Sequence, residues 1–74
     1  MKTYVEVIVS TEGEKASVIT EKFFQMGFKT TFGEHDFVFS WKKKVTLSEV
    51  LRFVDNVQQK LNGTGAMLKF TTIK

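Results

Sequence analysis

The feature that most limits how this chain can fold is a series of rings on either side of one polar turn. Phe28 and Phe32 precede the turn, and Phe37, Phe39 and Trp41 follow it. They recur at even spacing, with Thr30 completing the first series, and Lys29, Thr31, Val38 and Ser40 fill the places between. A period of two is that of a strand, so two strands are expected, joined by Gly33-Glu34-His35-Asp36 as a hairpin loop. The rings share one face. The opposite face, made of Lys29, Thr31, Val38 and Ser40, could not form a core, so all five rings are expected inside. A slip of one residue in register is excluded for the same reason.

The rest of the chain falls into similar blocks. Val5, Val7 and Val9 alternate with Tyr4, Glu6, Ile8 and Ser10, predicting a strand buried on one face. Thr11-Glu12-Gly13-Glu14 has the spacing of a capping box, and Ala16, Ile19, Phe23 and Met26 then form a helical stripe that ends at Gly27. A second capping box, Thr46-Leu47-Ser48-Glu49, opens a second stripe of Leu47, Val50, Leu51, Val54, Val57 and Leu61, which ends in Asn62-Gly63-Thr64-Gly65. Leu68, Phe70 and Thr72 alternate once more. The expected elements are β1 (residues 3–10), α1 (12–26), β2 (28–33), β3 (36–42), α2 (47–61) and β4 (66–73). This order, with right-handed crossovers, predicts an α+β two-layer sandwich of the ferredoxin-like kind, a single domain over residues 1–74. Its antiparallel sheet has the order 4-1-3-2, with both helices on one face.

Composition narrows the chemistry. A chain of 74 residues buries only about 60–65% of its unfolded surface, so eight Phe, one Trp and one Tyr must supply much of the core. There is no Cys, which excludes disulfides, a thiolate nucleophile and cysteine-held zinc or iron–sulfur centres. No apolar stretch approaches the ~20 residues of a membrane helix. Glu6 interrupts any secretory h-region near the start, so a cytoplasmic protein that does not enter the membrane is expected.

No catalytic residue, metal site or cofactor is expected. His35 lies between Glu34 and Asp36, but consecutive side chains in a tight turn diverge, so these three are read as a polar turn. Glu12 and Glu14 are explained by the helix start they precede. The order of elements is shared by RNA recognition motif domains, whose third strand carries a Lys/Arg-Gly-aromatic-Gly/Ala-aromatic pattern. Phe37-Val38-Phe39 lacks the preceding Gly and basic residue, and its rings are needed inside. Tyr4 alone is left as an outward aromatic on a central strand. The loop after β1 has neither the Cys-x-x-Cys of heavy-metal-associated domains nor the Arg of acylphosphatase-like enzymes, the sole Arg being Arg52 in α2.

Two surfaces are left for function. The topology gathers Lys2, Lys29, Lys42, Lys43, Lys44 and Lys74 at one end of the sandwich, with Lys22 expected nearby, and places Glu12, Glu14, Glu34 and Asp36 at the other. Lys2, Lys29, Lys42, Lys43 and Lys44, with Thr46 and Ser48 at the start of α2, are therefore candidates for binding phosphate or a nucleic-acid backbone. The uncovered sheet face presents Tyr4, Ile8, Val38, Met67 and Ile73, candidates for contact with a protein partner or for a homodimer. The leading expectation is a small non-enzymatic interaction module that self-associates through this face. The alternative is nucleic-acid or phosphate binding through the lysine-rich end.

Overall fold

The alternation in the sequence is realised as a four-stranded antiparallel sheet in the order β2-β3-β1-β4. The computed structural model describes residues 1–74, with β1 at Lys2–Ile8, α1 at Ala16–Gln25, β2 at Lys29–Thr30, β3 at Phe37–Ser40, α2 at Leu47–Lys60 and β4 at Met67–Ile73. Read from the other edge the order is 4-1-3-2, and the domain is a two-layer α+β sandwich of the ferredoxin-like kind. Val5 and Phe37 from the sheet, Ile19 and Phe23 from α1, and Val57 and Leu61 from α2 belong to one buried cluster, so both helices cover the same face.

Phe23 joins the layers. It is fully buried, stacks on Phe37 with ring centroids 4.6 Å apart and meets Phe28 edge-on at 5.2 Å. The Phe28 contact is local in origin. Gly27 adopts φ 93°, which an L side chain resists, and this lets Phe28 N–H reach back to Phe23 O at 3.1 Å and Gly27 N–H to Phe24 O at 3.0 Å. This closes α1 with an apolar contact across the cap. A second aromatic cluster continues from it, in which Phe39 lies 4.5 Å from Phe53 and 5.0 Å from Trp41.

Four features depart from the sequence-based expectations. β1 ends at Ile8, and α1 starts at Ala16 instead of residue 12, because the intervening loop is held by the loop before β4. Glu14 N–H donates to Thr64 O at 2.9 Å, and a Cβ on Gly13 would stand 2.3 Å from that same oxygen. Thr11 is therefore not a cap, and Lys15 occupies the cap position without a side-chain hydrogen bond. Second, β2 has two residues, and Phe32 lies outside the core with its side chain fully exposed. The hairpin ladder ends at Asp36, whose other bonds go to β1. Its carbonyl accepts from Thr31 N–H at 3.1 Å, its N–H donates to Val5 O at 2.9 Å, and its carboxylate accepts from Val7 N–H at 2.8 Å. Phe32 falls beyond the last rung, before Gly33 turns the chain at φ 91°. Third, β3 runs only from Phe37 to Ser40, although Trp41 N–H still donates to Met1 O at 3.1 Å.

The fourth departure is the face of α2. Val50, Val57 and Leu61 are buried and Phe53 packs beside them, whereas Leu47 and Leu51 are 73% and 54% exposed. The stripe that reaches the core is narrower than the apolar positions of the sequence. The capping box at the start of α2 is present as expected, with Thr46 Oγ1 accepting from Glu49 N–H and Glu49 Oε1 accepting from Thr46 N–H.

Because the core is thin, removing one ring should be severe. Phe23→Ala should lower the unfolding free energy by about 3–5 kcal/mol, measured by urea denaturation. Phe32→Ser, at a site outside the core, should change it by no more than about 0.5 kcal/mol. Gly13→Ala should cost about 1–3 kcal/mol in the same assay, because the added methyl collides with the Thr64 carbonyl.

Candidate functional site

Trp41 organises the lysine-rich end. Its Nε1–H donates to Thr3 Oγ1 at 2.8 Å, and Thr3 Oγ1 lies 3.0 Å from Thr72 Oγ1, so a hydroxyl pair bridging β1 and β4 holds the indole. Thr3 is fully buried, a polar residue on the core face whose hydrogen bonds are complete. Phe39 and Phe53 pack edge-on against the same ring at 5.0 Å each. With its position set from three sides, Trp41 stays partly exposed between two surface clefts.

The lysines line those clefts. One, of about 560 Å³, is bounded by Trp41, Lys42, Lys43, Lys44, Val45 and Lys74 together with Met1. The other, of about 590 Å³, lies where the short β2 leaves the end of β3 uncovered, and it includes Lys29, Ser40, Trp41, Lys42 and Lys43. Lys2 stands on the outer face of β1 opposite Ser40 and Ile73, in a smaller hollow that also includes Lys74. The structure thus brings Lys2, Lys29, Lys42, Lys43, Lys44 and Lys74 around one end, reaching from the Trp41 clefts onto the outer sheet face. Lys22 is elsewhere, in a cleft with Gln25, Met26 and Lys60 between the helices.

The start of α2 contributes less than its sequence suggested. Thr46 is committed to the capping box, and the Glu49 carboxylate places negative charge against the same backbone amide. Ser48 is exposed in the first turn. What the arrangement offers an anion is therefore lysine charge beside an anchored indole.

The polar turn at the other end has structural work. Asp36 holds Val7 N–H, and His35 stacks on Tyr4 with centroids 4.9 Å apart and planes 30° apart. The three side chains of Glu34, His35 and Asp36 do not converge, and Tyr4 is covered by a neighbour of its own. The rest of the outer face is divided. Ile8 pairs with Met67 at one end, Ile73 lies at the other, and the charged pair of Glu6 opposite Lys69 stands between them, while Val38 is half-buried beside Tyr4.

Sequence reasoning had the lysines but missed Trp41 as their shared wall and Thr3 as its anchor. The available signal was the adjacency of Trp41 to the lysine run. Thr3→Val preserves shape and removes the hydroxyl, so it should cost about 1–2 kcal/mol in urea denaturation. It should also shift the Trp41 indole N–H resonance, which a purely distant effect would leave in place.

No family model matches the chain, and no curated protein or solved structure matches it significantly.

Proposed function

We propose that this chain is a non-enzymatic binding module whose lysine-rich end contacts the phosphodiester backbone of a nucleic acid. The observation that carries this reading is the gathering of lysines from β2, the β3–α2 loop and the end of β4 on both sides of one fixed indole. Lys42, Lys43 and Lys44 are all exposed. Each is a mobile point charge with three donors, without the rigid fork that fixes a single phosphate. An array of this kind suits a chain of phosphates met at several points, where affinity comes from neutralised charge and released counterions. A single phosphate would meet only one of the two clefts at a time.

The opposite end supports the same orientation. Glu12, Glu14 and Glu34 are exposed there, so the field of the domain repels an anion at one end and attracts it at the other. The inward aromatic face argues against base stacking on the sheet, so weak dependence on base sequence is expected. Trp41, the only Trp of the chain, is the reporter.

Titrating a short single-stranded oligonucleotide while following Trp41 fluorescence should give an affinity that falls steeply with salt. The double substitution Lys43→Gln with Lys44→Gln should reduce the slope of log K against log salt by about 1.5. An affinity indifferent to salt, or a slope unchanged by the double substitution, would overturn this reading.

A further inference from the structure

We propose that the free edge of β4 is where a second copy of this chain adds, giving a continuous eight-stranded sheet with the two α2 helices side by side. The two edges of the sheet are managed differently. β2 is two residues long, too short to template another strand, whereas β4 runs seven residues without proline and pairs with β1 along its whole length.

The free backbone groups follow from the alternation of an antiparallel ladder. Val5 O and Val7 N–H face the β3 side, both bonded to Asp36. Their neighbours Lys2, Tyr4, Glu6 and Ile8 therefore turn toward β4 and engage Ile73, Thr71, Lys69 and Met67. Leu68, Phe70 and Thr72 are left with N–H and C=O groups on the open edge.

α2 supplies apolar area beside that edge. Its Phe53 flank packs on Phe39 and Trp41, and Lys60 shares a cleft with Lys22 of α1, so this side of α2 faces β3 and α1. Leu47, Leu51 and Val54 lie on the opposite flank, above β4, where Gln58 shares a cleft with Ala66 and Leu68. Leu47 and Leu51 are the exposed members of the helical stripe, and nothing within one copy covers them. A second copy added to β4 on a two-fold axis brings the same flank of its own α2 against them, and strand pairing gains an apolar layer.

The β4 sequence is self-complementary about Phe70. With Phe70 opposite its own counterpart, exposed Met67 faces Ile73 of the second copy and Lys69 faces Thr71, so no two lysines are directly opposed. The antiparallel relation also sets the polarised domains head to tail. Lys74 at the basic end of one copy lies near the other copy's Glu12 and Glu14, whose loop is bonded to Thr64 just before β4. Lys29, Lys42 and Lys43 stay clear of the interface.

The register makes the test specific. Sedimentation equilibrium should show a dimer at micromolar to millimolar concentration, with the amides of Leu68, Phe70 and Thr72 gaining protection from hydrogen exchange as concentration rises. Thr71→Lys places two like-charge pairs opposite Lys69 and should weaken the dimer roughly tenfold, whereas Thr71→Glu should strengthen it by about as much. Leu51→Glu, at an exposed site that leaves the monomer folded, should also dissociate it. A strict monomer throughout this range would overturn the proposal. So would a dimer that ignores both charges at residue 71 and is dissociated by Ile8→Lys, since that dimer uses the open sheet face.

Discussion

The ring of Phe23 is the point on which both layers depend. It stacks on Phe37 of the sheet and touches Phe28, the residue that follows the glycine cap of its own helix. One side chain therefore fastens α1 to β3 and fixes where α1 gives way to β2. Only 10 of 74 residues are buried, and from α1 only Ile19 joins Phe23 among them, so few contacts remain to hold the helix in place if this ring is lost. Aromatic side chains suit such a core because each buries a large area while ordering only two side-chain torsions. The same use of rings leaves the outer face of the sheet nearly bare of them. Tyr4 is the exception, and His35 lies on it.

The general architecture was legible in the sequence because its periods are long compared with their interruptions. Seven residues of β4 and fourteen of α2 hold their pattern well enough to define direction and face. The Thr46–Glu49 capping box could be read because it is complete within four residues and has no competitor. Thr11–Glu14 has the same local form, yet Glu14 N–H bonds to Thr64 O, a partner 50 positions along the chain. A local motif yields when a tertiary contact claims one of its groups. Phe32 was misread for a related reason. Alternation carried it inward, but the last hairpin rung is Thr31 N–H to Asp36 O, and Gly33 turns the chain directly after Phe32, an early turn that has no periodic signature. Leu47 and Leu51 were misread because an apolar stripe on a helix shows how much apolar surface there is without showing how much of it the domain's own core can cover.

Charge segregation was legible for a different reason. A chain that passes back and forth across one sheet returns to each end at predictable points, so the topology alone assigns the lysines beside β2, β3 and β4 to one end. Lys22 shows the limit of this argument. It lies in the last turn of α1 and lines a cleft with Lys60, apart from the two clefts beside Trp41. The anchor of Trp41 was illegible altogether, since it depends on Thr3 and Thr72, hydroxyls that are 69 positions apart and adjacent only once β1 and β4 have paired.

That anchor changes what the lysine run can do. The loop carrying Lys42, Lys43 and Lys44 is held at one end by Trp41, through its indole and its backbone N–H, and at the other by the Thr46 cap. Both ends of this short stretch are thereby fixed, which limits how far the loop can move. The lysine side chains themselves are exposed. Flexible lysine side chains on a loop tethered at both ends favour contacts that add up by number and tolerate shifts of register, which suits a repeating phosphate chain better than one small anion of fixed geometry. If the lysine-rich end binds as proposed, the buried hydroxyl of Thr3 contributes from within the core, by holding the indole beside which those lysines lie.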